Sequence, residues 1–217
     1  MAIVKYSKKK AHQVYRKKDG TIVPGGSTIA GVGDSQEHLL TWYYNMGVKG
    51  EDPKAHMREA GNIGTVAHGM IECHFNGNIG DFDDFSKTEI DMGTMLYDKF
   101  MKWWSENNLE FVASETQLVS EVHGYGGTLD LIFRRNGGLG LLDVKSSPQI
   151  YLKNYRQLAL YENLWNENNT EKIEHRVIVR LDKKSPKKTE VRWIGDLEDH
   201  FNVALKKLAL YQAEHES

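Results

Sequence analysis

With 217 residues, 40% of them hydrophobic and 27% charged, the chain has the ordinary composition of a soluble globular protein and suits a single domain over 1–217. Its net charge of −2 argues against an extended basic surface, and no apolar run approaches the ~18 residues that a membrane span needs. The single cysteine, Cys73, excludes disulfide scaffolds, cysteine zinc sites and four-thiolate iron–sulfur clusters within one chain, and points to the cytoplasm.

Met1 to Lys10 carries a basic stretch with no apolar segment behind it, so no secretory signal is expected. Pro24-Gly25-Gly26 marks a turn. Asp34 or Ser35 then caps a helix over 36–47 whose apolar face is Leu39, Leu40, Tyr43 and Tyr44. Pro53 falls in a loop. A second helix spans about 55–75, with Ile63, Val66, Ala67, Met70 and Ile71 spaced for burial. A third covers 88–107, where Ile90, Met95, Leu96, Phe100, Trp103 and Trp104 keep a helical period.

The pattern then changes. Residues 110–121, 125–134 and 139–146 read as strands, and Asn136-Gly137-Gly138 between the last two is a hairpin signal. A helix follows at 150–167, then a strand at 173–181, a loop with Pro186, a strand at 189–194 and a helix from 196 to 213. This order predicts an α/β fold: a mixed central β-sheet flanked by α-helices, with a helical part over about 1–108 and a sheet-bearing part over about 109–217. The basic runs Lys8-Lys9-Lys10, Arg16-Lys17-Lys18 and Lys183-Lys184…Lys187-Lys188 read as solvated loops or as phosphate contacts.

Asp143-Val144-Lys145 ends the apolar strand that begins Leu139-Gly140-Leu141-Leu142. Alternate side chains of a strand share a face, so Asp143 and Lys145 point the same way. If Asn136-Gly137 is a two-residue turn, residues whose numbers sum to 273 face each other, and Asp130 meets Asp143. If Gly138 joins the loop, the register shifts by one. Leu129, Leu131 and Phe133 are expected to bury the opposite face, with Asp130 alone interrupting that apolar run. Carboxylates at cross-strand distance repel unless a cation lies between them or one takes a proton. A hard cation, Mg2+ or Mn2+, suits such oxygen ligands.

Gly127-Thr128-Leu129-Asp130, Asp143-Val144-Lys145 and Gln157-Leu158-Ala159-Leu160-Tyr161 together resemble the motif series of the PD-(D/E)xK nucleases. The likeness is to the branch with the RecB nuclease domain, the mitochondrial genome-maintenance exonuclease and many phage exonucleases, which carries Gln-x3-Tyr on the helix after the Asp-x-Lys strand. Gly64-Thr65-Val66-Ala67-His68-Gly69-Met70-Ile71-Glu72 is similar to that branch's histidine-bearing helix. The resemblance covers about 60–165 and implies a restriction-endonuclease-like core.

It also implies roles. Asp130 and Asp143 hold the metal with the Val144 carbonyl, and His68 adds a neutral imidazole. Glu115 matches a carboxylate preceding the motif hairpin and stands as a further ligand. Glu72, one turn after His68, is its supporting partner. Gln157 and Tyr161, at i and i+4, orient Lys145 and the scissile phosphate. Lys145 either stabilises the pentavalent charge or assists the attacking water. Lys145→Ala is expected to abolish cleavage with the fold largely intact. The iron–sulfur cluster of some relatives is not expected.

The implied activity is a Mg2+- or Mn2+-dependent DNA exonuclease acting at ends or single-stranded regions. Its partners would be DNA and replication or recombination proteins, and its place the cytoplasm, the host's if phage-encoded. An endonuclease on the same fold and a non-catalytic DNA-binding module are the rival readings.

Overall fold

The computed structural model describes residues 1–8, 13–185 and 189–215. In chain order its elements are β1 (Ile3–Lys5), β2 (Tyr15–Arg16), β3 (Ile22–Val23), α1 (Gly26–Gly31), α2 (Glu37–Val48), α3 (Pro53–Asn76), β4 (Ile79–Asp81), α4 (Lys87–Glu106), β5 (Glu110–Ser120), β6 (Tyr125–Arg135), β7 (Gly138–Lys145), α5 (Leu152–Asn168), β8 (Ile173–Leu181), β9 (Thr189–Ile194) and α6 (Glu198–His215). They fall into two compact units, Met1–Lys9 with Gly33–Tyr97, and Lys10–Val32 with Asp98–Ser217. The boundary lies within α4. No described helix is long and apolar enough to cross a membrane.

In the first unit, α3 starts two residues before the expected 55. Pro53 is its first residue rather than part of a loop, and the Asp52 side chain accepts from the Lys54 N–H at 2.8 Å. A proline there loses no helical hydrogen bond, because the first N–H groups have no partner in the helix. The face of α3 holding Ile63, Val66, Ala67 and Ile71 is buried. β1 and β4 pair in parallel, a pairing across more than 70 residues that the sequence does not announce. Just after β1, the Tyr6 ring stacks on Phe82 with centroids 4.9 Å apart.

The N-terminus of α4 is closed by a reciprocal box. The Glu89 carboxylate accepts from the Ser86 N–H at 2.7 Å, and the Glu89 N–H donates to the Ser86 hydroxyl at 3.2 Å. Asn62 and Lys8 also donate to this carboxylate, which is buried. Burial alone would raise its pKa; those donors outweigh it and pull the group down to about 2.

On α2 the expected apolar face is largely uncovered. Leu40 and Tyr44 are 67% and 72% exposed, and Met46 is the buried residue of this helix. Ser35 accepts from the Glu37 N–H at 3.3 Å, one residue outside the helix cap at Gln36. Period locates a face, but only a neighbouring element buries it.

The second unit is built on a five-stranded sheet of order β5-β6-β7-β8-β9, antiparallel except for the parallel β7–β8 pair that α5 connects. Leu158, Leu160 and Leu164 of α5, Ala204 and Leu208 of α6 and Ile29 of α1 pack on one face against Tyr125, Ile132, Leu141 and Ile178. On the other face Trp104 meets Phe133 edge-on, and Trp103 lies against Trp193. The second unit is thus a mixed sheet flanked by helices. The short hairpin β2–β3 was not expected from sequence. Arg16 ends β2 and Lys17 and Lys18 follow in the turn, while Lys9, Lys10, Pro186, Lys187 and Lys188 lie outside the described residues.

Candidate functional site

The β6–β7 hairpin closes through Asn136 and Gly137, both at positive φ (52° and 86°), the backbone that a two-residue turn between twisted strands demands. Arg135 pairs with Gly138 and Leu131 with Leu142. The register is therefore the sum-273 register, and Gly138 is in the strand rather than the loop.

That ladder stops at Leu131–Leu142, one rung short of Asp130 and Asp143. The strands fork there. Beyond the fork, β7 pairs only with β8, through Asp143–Ile178, Val144–Val179 and Lys145–Arg180. Below it, Gly126 of β6 bridges to Gly25 instead. The Val144 N–H left at the fork donates to Asp130 Oδ2 at 2.8 Å, so a side chain replaces the missing backbone acceptor.

The same rung is broken on the other side of β6. Ser114 pairs with Leu131 and Thr116 with Leu129, but Glu115 between them stands at φ 47°, left-handed backbone that costs a non-glycine residue about 1 kcal/mol. The core cluster beneath α5 takes Leu129 and Ile132 but not Leu131 or Phe133. In-out alternation along β6 thus slips by one at Asp130. The expectation that Leu129, Leu131 and Phe133 share a face is corrected here, because period 2 holds only where the pleat is unbroken. Glu115 lies opposite Asp130 at this break, with a carboxylate oxygen within 4.8 Å of one of Asp130, and Asp143 stands just past the end of the β6–β7 ladder.

Asp143 is 1% exposed. Lys145, two residues on, turns its ammonium to Asp143 Oδ1 at 2.7 Å and to Gln157 Oε1 at 3.1 Å. Gln157 Nε2 donates in turn to the Tyr161 hydroxyl at 2.9 Å. One continuous chain of hydrogen bonds thus runs from the end of β7 along the face of α5. Burial pulls the Lys145 pKa down, but the Asp143 and Asp130 carboxylates outweigh it and hold the ammonium above its ordinary value. Burial pushes the Tyr161 phenol far up, with Asp130 and Asp143 adding to the effect, so it remains neutral. The Tyr161 ring fits because Gly127 lies beneath it: a Cβ at Gly127 would stand 2.6 Å from Tyr161 Cε1. The glycine three residues before Asp130 therefore seats the aromatic end of this chain.

Of the residues singled out in sequence, Asp130, Asp143, Val144, Lys145, Gln157, Tyr161 and Glu115 lie in the second unit, around the fork. His68 and Glu72 lie on α3, in the first unit, where Glu72 accepts from the Tyr6 hydroxyl at 2.7 Å. Sequence reasoning passed over Arg180, whose signal is a charge inside the apolar run Val177–Leu181 and whose Cα partner is Lys145.

Glu115 and Asp130 offer carboxylate oxygens at the fork, and donors of this kind suit a hard divalent cation.

The sequence matches no family model and no curated protein. Among solved structures it is similar to a protein from Eubacterium rectale provisionally assigned as an exonuclease, with a TM-score of 0.47 and 12% identity over 68% of this chain and 64% of that one. It is also similar to an alkaline exonuclease from Laribacter hongkongensis, with a TM-score of 0.40 and 13% identity over 55% of this chain and 66% of that one. The chain spans slightly less than two thirds of the length of each.

Proposed function

We propose that this chain is a metal-dependent deoxyribonuclease of the PD-(D/E)xK superfamily, an exonuclease that hydrolyses DNA phosphodiester bonds at or near ends. The observation that carries this reading is the hydrogen-bonded chain Asp143–Lys145–Gln157–Tyr161 beside Asp130 at the β6–β7 fork. A merely structural charged pair needs neither a broken ladder nor a glutamine and a tyrosine aligned behind it.

In this reading Asp130 and Asp143 hold Mg2+ or Mn2+, assisted by the Val144 carbonyl and by Glu115. When bound, the ion supplies Lewis-acid charge at a phosphoryl oxygen and at the leaving oxygen. The protein's own groups do the rest. Asp143 Oδ1 and Gln157 Oε1 fix the Lys145 ammonium, so its positive charge sits where negative charge develops and needs no reorientation during the reaction. The neutral Tyr161 hydroxyl accepts from Gln157 Nε2, which keeps the amide oxygen turned toward Lys145. The biological setting would be replication, recombination or repair.

The test is digestion of 5′- and 3′-end-labelled single- and double-stranded DNA with Mg2+, with Mn2+ and in EDTA. Progressive release of nucleotides from ends, absent in EDTA and absent in Lys145→Ala, is the expected result. Discrete fragments from a closed circular plasmid would replace the exonuclease by an endonuclease. DNA left intact with both metals, across single-stranded, double-stranded and flapped substrates, would remove the nuclease reading.

A further inference from the structure

Arg180 ends the sheet run beside Lys145 and is built into the route between the two halves of the site. Lys145 ends β7 and Gln157 lies on α5. Their 3.1 Å contact joins two elements whose covalent connection is the stretch 146–151. Nothing in the sheet ladder holds that stretch, because β7 ends at Lys145.

The Arg180 guanidinium takes that place. In the sheet Arg180 is the Cα partner of Lys145. Its side chain is 4% exposed, and every arm of the fork is used. Nε donates to Glu190 Oε2 at 2.8 Å. Nη1 donates to the Pro148 carbonyl at 3.0 Å and, more weakly, to the Ser147 carbonyl at 3.4 Å. Nη1 and Nη2 both lie 3.4 Å from Asp182 Oδ2. Two carboxylates, one from β9 and one from the turn after β8, balance the cation and hold its plane. The two carbonyls belong to the segment that leaves Lys145. That turn is itself anchored, since the buried Lys99 ammonium donates to the Asp182 and Ser185 carbonyls.

We propose that Arg180 is a positioning residue of this site: it clasps the β7–α5 connection at Ser147 and Pro148 and thereby sets the contact between Lys145 and Gln157. The functional consequence rests on the nuclease reading; the structural one does not. A planar guanidinium can serve two carboxylates and two carbonyls at fixed angles, whereas the rotating ammonium of lysine keeps the charge and loses the planar geometry. Arg180→Lys is therefore the informative variant, because it keeps a cation beside Asp182 and Glu190.

Two measurements separate this proposal from the one it builds on. The first needs no DNA. The Gln157 side-chain amide resonances, assigned by their loss in Gln157→Ala, should shift in 1H–15N spectra of Arg180→Lys. Unshifted resonances in a folded variant would overturn the clasp even if the native chain cleaves DNA.

The second is a double-mutant cycle in steady-state cleavage. Arg180→Lys should lower kcat about tenfold with KM unchanged, since displacement of a catalytic group by a fraction of an ångström is felt in the turnover step. In a Gln157→Ala background the same substitution should cost less than about twofold, because coupled residues are not additive. A full second tenfold loss would make Arg180 an ordinary contributor to stability and overturn the proposal. If Arg180→Lys does not fold, Glu190→Ala, which frees one arm of the clasp at its more exposed end, is read by the same two measurements and the same outcomes. A native chain that fails to cleave sinks the nuclease reading, and the amide shift still decides the clasp.

Discussion

Asp143 and Lys145 form an ion pair with side-chain exposures of 1% and 17%, which places it among buried rather than surface pairs. An exposed pair contributes little, but removing one member of a buried pair leaves a charge without compensation, at a cost of about 3–5 kcal/mol. This changes the expectation that Lys145→Ala would leave the fold largely untouched. In EDTA the variant should lose about 3–5 kcal/mol in urea unfolding, because Asp143 keeps its burial and loses its ammonium. Mg2+ or Mn2+ should restore part of that loss and stabilise the variant more than the native chain, since the cation takes over the work of the missing charge. Equal stability of the two chains in EDTA would show that the pair is better solvated than its burial indicates. A variant insensitive to both metals would count against a cation site at the fork.

Among the elements, α4 offers a pH test away from the fork. Glu89 has a folded pKa of about 2, below its unfolded value of ~4.3. A depressed carboxylate contributes stability that is fully present above the unfolded value and is lost as pH falls through the folded one. Glu89→Gln should therefore be less stable than the native chain at pH 6, and the difference in urea midpoint should narrow steadily below about pH 4. A difference that stays constant from pH 6 to pH 3 would mean that the helix cap, and not the charge, is what Glu89 provides. The period of α3, α4 and α5 and the Asn136-Gly137 turn were legible because each is a local pattern: a spacing of apolar residues, or two positions that tolerate positive φ. The register of the β6–β7 hairpin followed from the turn by counting, but its ladder ends one rung before the expected Asp130–Asp143 pair. The slip at Glu115 and Asp130 was not legible, because it is an exception to the alternation used to read strands, and departures from local rules gather where function imposes them. The exposed face of α2 and the β1–β4 pairing escaped for another reason: both depend on what a segment meets far along the chain. Arg180 belongs to that class, since its partners at 147, 148, 182 and 190 converge only once β7, β8 and β9 lie side by side.

For the whole molecule, a net charge of −2 is an unusual endowment for a proposed ligand of a polyanion. At the fork acidic groups gather as well: carboxylate oxygens of Glu115 and Asp130 lie within 4.8 Å of each other, and Asp143 stands just past the end of the β6–β7 ladder with the Lys145 ammonium on its Oδ1. A phosphate approaching these carboxylates meets like charge, and a divalent cation offsets it. Affinity for DNA should therefore depend on the ion before any bond is cut. In fluorescence anisotropy with a short single-stranded DNA, binding should be weak in EDTA and strengthen at least about tenfold with Ca2+, a hard cation that occupies oxygen sites of this kind. Asp130→Asn, which removes one carboxylate, should bind more tightly than the native chain in EDTA and gain less from Ca2+. The two effects have opposite signs, which general loss of structure could not produce. Equal affinity with and without the ion would place the DNA contacts elsewhere, on basic segments such as Arg16-Lys17-Lys18 rather than at the fork. In that case these carboxylates would be a structural feature of the sheet and not the place where DNA is held.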